Sequence, residues 1–368
     1  MFFHTDHQGA LLISTSRFEK GDGANRIVQF NSAFSVTDPA LLFASQVELV
    51  LTGIKSLPMP GVRPVFVRIF LSDPANQAPF VEERLKTDCP VSVIGQAPLN
   101  GTKIAAWVWY RSDAYVAAIR DGLHRISWHG TEELWFTRGT ADCDGSYGQT
   151  VKLLDQFSAD LEAQGMTLED DCVRTWLFVQ NIDVNYKGVV DGRNDVFDRH
   201  ALTPDTHFIA STGIEGRTLS HDSKVMLDAV AVKGQEVSQS YLYGSTHLNR
   251  TSEYGVRFER GTVVRYPDLR HVFISGTASI DNKGHIMHEG DIAGQTARMI
   301  ENVEVLLSEA GCGFADVATM TVYLRDPSDY TTVNRIFSER FPDHPRIITM
   351  APVCRPGWLI EMEGVAIY

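Results

Sequence analysis

The chain has 368 residues, 43% hydrophobic and 21% charged, with a formal net charge of −13; this composition is globular and excludes a disordered, collagen-like or coiled-coil chain. Acidic residues outnumber basic ones and no Lys/Arg run occurs, which argues against a nucleic-acid partner. No apolar run approaches the roughly 20 residues of a bilayer span, the N-terminus predicts no signal peptide, and five cysteines without CxxC spacing suit a reduced, cytoplasmic protein better than a disulfide framework.

In chain order, the apolar pattern predicts a helix over Leu42–Leu51, a strand from Val65 that stops at Asp73-Pro74, and a strand over Ile104–Trp109. Next come Arg138-Gly139-Thr140-Ala141 and then Gln149-Thr150. These open an amphipathic helix carrying Leu153, Leu154, Phe157 and Leu161 at i, i+3, i+4 spacing, closed by Gly165. A strand at Val173–Val179, a helix through Asn194–Phe197 and a strand at Val225–Val232 follow. The same order then returns. Ser275-Gly276-Thr277-Ala278 leads to Gln295-Thr296, a helix carrying Ile300, Val303, Leu306 and Leu307, Gly311, a strand at Ala318–Leu324, a helix through Asn334–Phe337, and a closing strand at Ile360–Ile367. The chain therefore reads as three tandem copies of one α+β unit: a degenerate copy at 1–127, a middle copy at 128–254 and a C-terminal copy at 255–368. Two helices packed on one face of a mixed sheet is the simplest way to cover each set of strands.

The last copy resembles the Rid (YjgF-like) superfamily. The matching stretches are Val272–Gly276, Gly290-Asp291, Gln295-Thr296, Glu301-Asn302-Val303, Thr321–Leu324, Val333-Asn334 and Ile360–Ala366. The resemblance implies a chorismate-mutase-like unit with ligand clefts between neighbouring units, so three copies in one chain imply a covalent pseudo-trimer. It also implies that Arg346 binds a substrate carboxylate and that Glu361 handles protons or water. Met226 falls at the Glu361 place in the middle copy, and the first copy has only apolar residues there. The family's usual tyrosine falls at Phe258. Within the superfamily the chain is similar to the chorismatases, through Ser275–Ile280, Ala210–Ile214, Arg174-Thr175-Trp176 and Val353-Cys354-Arg355. That similarity implies cleavage of the enolpyruvyl ether of chorismate, with Glu361 as general acid. A cysteine at Cys354 is similar to the branch that makes 3-hydroxybenzoate.

Hydrolysis of an enol ether begins with protonation of its methylene carbon, so it needs an acid still protonated near neutral pH. A glutamate on an apolar strand suits this, because burial disfavours the charged form. Strand alternation places Glu361 and Glu363 on one face, where each raises the other's pKa. A small carboxylate substrate needs cations, for which Arg174, Arg346 and Arg355 are the candidates. Gly276 allows close backbone approach, with Thr277 beside it; Ser211, Thr212 and Gly213 form a turn-like segment that suits ligand contact. An imine or enamine deaminase uses much the same parts, and a non-catalytic carboxylate-binding module is a third reading. The superfamily's endoribonuclease label sits badly with the acidic charge. His4/His7 and His285/His288 lack a third ligand at metal spacing, and no nucleotide fingerprint occurs, so neither metal nor cofactor is expected. A chain that completes its own trimer is expected to be a monomer or a low-order oligomer.

Overall fold

A computed structural model describes residues 1–22, 26–57 and 59–368. The first sheet contains β1 (Phe2–Gln8), β2 (Leu11–Lys20), β3 (Ile27–Val36), β4 (Val62–Leu71), β5 (Val91–Gly95) and β7 (Ile104–Ser112); the two-residue β6 (Ala97–Pro98) lies apart from it. Its strand order is β1-β2-β3-β7-β4-β5. The second sheet contains β8 (Tyr115–Arg120), β9 (Leu123–Trp128), β10 (Thr131–Gly139), β11 (Cys172–Val179), β12 (Ala210–Glu215) and β13 (Val225–Gly234). The third contains β14 (Ser238–Leu242), β15 (Gly261–Arg265), β16 (Arg270–Ala278), β17 (Val317–Leu324), β18 (Arg346–Met350) and β19 (Ile360–Ile367). Each unit carries two main helices: α1 (Phe43–Ser56) and α2 (Pro74–Arg84), then α3 (Gly145–Glu162) and α5 (Ile182–Arg199) with the one-turn α4 (Leu168–Asp171) between them, then α6 (Ile292–Ala310) and α7 (Tyr330–Arg340).

Local chemistry accounts for the ends of these elements. The Asp291 carboxylate caps α6 by accepting from the Gly294 amide at 3.1 Å, and Gly311, at φ +84°, supplies the left-handed residue that ends the helix. Every residue of β19 is buried, as is every residue of β17. Strands buried on both faces need cover on both. One face lies under its unit's helices, and the other faces the neighbouring units.

Strands β8 and β9 extend the second sheet, and β14 edges the third. These are added edge strands, like the β1–β2 hairpin of the first unit, and they lie outside the stretch that repeats in sequence. The three units close on one another edge to edge. Strand β6 of the first unit pairs with β18 of the third. Gly95 bridges Arg217, and Ile214 bridges Val353. The result is a single-chain pseudo-trimer of three Rid-like units, α+β in class.

Four charged residues meet where the three sheets converge. Arg68 of β4 donates to Asp228 of β13 at 2.8 Å and lies 3.6 Å from Glu363 of β19. Arg174 of β11 donates to Glu363 at 2.6 Å. The cluster draws on all three units, two cations balance two carboxylates, and Arg68 also stacks on Trp176 at 4.6 Å. Arg68→Met is expected to destabilise the fold by about 3–5 kcal/mol, because it strands a buried carboxylate charge. Urea denaturation checks this, and a loss under 1 kcal/mol would mean that Asp228 and Glu363 do not depend on it.

Candidate active site

Glu361 lies at the centre of the third sheet, opposite Ala278 of β16 and Tyr323 of β17. Alternation turns Met362 to the helix side and points Glu361 and Glu363 at the second unit. Facing them are β12 and α5, and the space between is a cleft lined by both units. Glu361 is 4% exposed. Burial, reinforced by the Glu363 charge and opposed by Arg174 and Arg260, raises its carboxyl to about 8. Glu363 is engaged by neighbouring donors. It accepts from Arg174 Nη2 at 2.6 Å, from Thr212 Oγ1 at 2.5 Å and from Trp176 Nε1 at 2.9 Å. The two carboxyls therefore differ in surroundings: Glu363 is paired with Arg174, whereas Glu361 makes no salt bridge among the described residues.

Gly276 is the floor beneath Glu361. A Cβ there would sit 2.1 Å from Glu361 Oε1 and 3.1 Å from Thr212 Cγ2, so only glycine leaves the carboxyl in place. Its amide donates to Thr212 Oγ1 at 2.9 Å and is already engaged. Gly276→Ala is expected to displace Glu361 and cut turnover by about 100-fold or more while circular dichroism stays unchanged; retained turnover would remove Glu361 from the chemistry.

The sequence candidates separate on this frame. Glu361, Cys354, Arg355, Gly276, Ser211, Thr212 and Gly213 line the cleft together. Thr277 does not: alternation turns it away from Gly276 and Ala278, and its hydroxyl donates to Ser275 O at 2.9 Å. Arg174 is not a free cation either, being committed to Glu363 and Thr212. Arg346 lies in a different cleft, between the third and first units. The reason is topological. Glu361 is on a central strand that looks toward the second unit, whereas Arg346 is on β18, whose outer edge pairs with β6 of the first.

Three cleft arginines and an indole supply what Arg346 does not. Arg193, on α5, is 2% exposed; its Nε and Nη2 have no hydrogen-bond partner among the described residues, and burial lowers its pKa. Trp358 Nε1 is buried and likewise unpartnered. The Arg355 guanidinium lies between the rings of Tyr254 (4.7 Å) and Trp358 (5.0 Å). Arg260 is held by Asn249, donating to its backbone oxygen at 3.0 Å and its side-chain oxygen at 3.1 Å. Burial first, then the Glu361 charge, pushes the Cys354 thiol up to about 12. It is therefore a thiol, not a thiolate nucleophile, near neutral pH. Gly213 makes room for Tyr186, whose ring would meet a Cβ there at 2.9 Å. The cavity itself is only about 50 Å³, well under the roughly 300 Å³ of ordinary ligand sites, so a ring-sized ligand must move the side chains at its mouth.

The cleft thus brings a buried carboxyl of raised pKa together with three arginines and an indole at the junction of two units. The endoribonuclease L-PSP family model matches residues 263–368. 3-Aminoacrylate deaminase RutC of Acinetobacter baylyi is 34% identical over 97 residues, covering 26% of this chain and 77% of that protein. The chain belongs to the Rid/YjgF (L-PSP) family. Over most of its length it is similar to two Streptomyces proteins. One is the chorismatase of S. rapamycinicus, 25% identical over 76% of this chain and 87% of that one. The other is the 3-hydroxybenzoate synthase of S. hygroscopicus, 28% identical over 71% and 81%. A chorismatase crystal structure superposes with a TM-score of 0.66 at 20% identity, covering 82% of this chain and 92% of that one. Among the described residues no helix is long and apolar enough to cross a membrane.

Proposed function

We propose that the chain is a chorismatase-like hydrolase that releases pyruvate from chorismate. The observation that carries this reading is Glu361, a carboxyl raised to about 8 in a cleft with the unpartnered donors of Arg193 and Trp358. In the proposed reaction Glu361 protonates the terminal methylene carbon of the enolpyruvyl group. The adjacent carbon becomes an oxocarbenium centre, water adds to it, and the hemiketal collapses to pyruvate and the ring alcohol. The glutamate left behind is an anion that Arg260 and Arg174 favour, which lowers the cost of giving up the proton. Arg193 and Arg355 take the two substrate carboxylates. Ether cleavage alone leaves a dihydroxycyclohexadiene carboxylate; net loss of one further water gives 3-hydroxybenzoate. The protonated Cys354 beside Glu361 favours the aromatic product. A deaminase reading asks for Arg346 and Glu361 in one cleft, and they are in two.

The test is to mix protein with chorismate, follow pyruvate through lactate dehydrogenase, and identify the ring acid by chromatography. The rate is expected to be flat below about pH 8 and to fall above it as one ionisation, because the acid must hold its proton and loses it through that pH. Absence of pyruvate above the spontaneous rate would refute the reading; ammonia released from amino-acid-derived imines would replace it.

A further inference from the structure

Each sheet has an inner edge that closes on the next unit and an outer edge that does not. The inner edges are β5, bridged from Gly95 to Arg217, β12, bridged from Ile214 to Val353, and β18, paired with β6. The outer edges are β1, β8 and β14, each without a strand on its outer side among the described residues. An open strand edge is a template for pairing with another chain, and proteins blunt it with bulges, short length, lysine or proline. Two of the three outer edges are blunted. Strand β8 is broken by a bulge between Ala118 and Arg120. Strand β14 is only five residues long, and its Gln239 is tied to Asp170 O at 2.7 Å. Strand β1 has neither device. Its run Phe2-Phe3-His4-Thr5-Asp6-His7-Gln8 pairs with β2 in unbroken register and holds no lysine, arginine or proline.

Hairpin geometry fixes which backbone groups this edge offers. Gly9-Ala10 is a two-residue turn with Gln8 paired to Leu11, and the residues flanking such a turn exchange hydrogen bonds. Alternation then commits the amides and carbonyls of Phe2, His4, Asp6 and Gln8 to β2 and turns those of Phe3, Thr5 and His7 outward. A second copy of the same edge, antiparallel about a two-fold axis at Thr5, meets them in register. Thr5 faces Thr5, Phe3 faces His7, and the strand pairs along its whole length. The same register sets His4 opposite the second copy's Asp6, and Asp6 opposite its His4. Both pairs fall at non-hydrogen-bonded positions, where side chains approach most closely. The edge is thus complementary to itself in backbone and in charge. It is also held ready: Phe3 stacks on His344 of the third unit at 4.0 Å. On the other face Phe2, 71% exposed, lines a groove of about 670 Å³ with Ile13, Phe30, Leu57 and Met59, and pairing runs the grooves of two copies together.

We propose that β1 is a homodimerisation edge, through which two copies of the chain join their six-stranded first sheets into one continuous sheet centred on Thr5. The proposal is independent of the hydrolase reading, because no residue of β1 lines the Glu361 cleft. The test is sedimentation equilibrium of the untagged full chain from about 1 to 200 µM, where the average mass is expected to climb toward twice that of the monomer. Thr5→Pro removes the outward amide at the centre of the new ladder and leaves the β1–β2 bonds intact; it is expected to leave monomer alone, with circular dichroism unchanged. His4→Asp sets like charges across the axis and is expected to weaken association by about tenfold or more. Adding Asp6→His to His4→Asp exchanges the two partners and is expected to restore it. A monomer over the whole range, a dimer that survives His4→Asp or a folded Thr5→Pro, or an exchanged pair that stays dissociated overturns the proposal.

Discussion

Glu361→Gln is expected to lower turnover by about 10³-fold and, in the same protein, to raise stability. The first effect follows from the chemistry. An amide has no proton to give to carbon, and general-acid catalysis is worth roughly 10²–10⁴. The second follows from linkage. The folded carboxyl titrates near 8, against an ordinary value near 4.5, because burial disfavours the anion. A raised folded pKa means the native state holds its proton where the unfolded chain has lost it. Stability from this group is therefore full below about pH 4.5 and is lost progressively as pH rises toward 8. Glutamine does not titrate, so the variant is expected to gain a few kcal/mol, about 3, at neutral pH, and nothing below pH 4.5. Urea titrations of both proteins at pH 4.5, 7 and 8.5, beside pyruvate-release assays, check both halves. A variant that is inactive but no more stable at pH 8.5 than at pH 4.5 would mean that Glu361 is already ionised in the free protein.

Burial, with the Glu363 charge beside it, explains why this carboxyl keeps the proton. Arg68 and Arg174 are matched by Asp228 and Glu363, and the pull of Arg174 on Glu361 does not offset its burial. Arg68 comes from the first unit, whose own acid position is Ala105. The degenerate unit thus supplies no acid for the chemistry, yet its arginine completes the charge balance beside the acid.

Much of the fold was legible because the second and third units repeat their turn signals and their apolar spacing. The β1–β2 hairpin was not, since Phe2–Gln8 alternates weakly and is half exposed. That Gly276, Cys354 and Glu361 share one cleft was legible because they lie in matching strand and loop motifs. Arg174 and Arg346 were misplaced for one physical reason: distance along a chain does not say which neighbour a strand faces in a closed trimer. Thr277 was misplaced by taking a motif whole, when alternation splits it between two faces. Arg193 was missed because α5 reads as a solvated helix, with four Asp and two Asn in its 18 residues. A signal was present, however. Val189, Arg193, Val196 and Phe197 share one helical stripe, and all are buried, so the arginine interrupts an apolar face.

Arg193→Met is expected to show the signature of a group held for a ligand: weaker substrate binding together with a more stable free protein. The guanidinium is 2% exposed, and two of its nitrogens find no partner among the described residues. An unpaired buried cation costs several kcal/mol, and methionine fills similar space without that cost. The free variant should therefore melt higher. With substrate bound, a carboxylate pairs with those nitrogens, and its loss is expected to raise KM by about 100-fold, roughly 3 kcal/mol. The change in kcat should be smaller, because the pair forms in the ground state as well as the transition state. Arg193→Lys should recover charge but not the planar fork, and so fall between the two. The opposite pattern, a lower melting temperature with KM unchanged, would make Arg193 a structural residue of α5 and leave Arg355 and Trp358 as the anion-binding groups of the cleft.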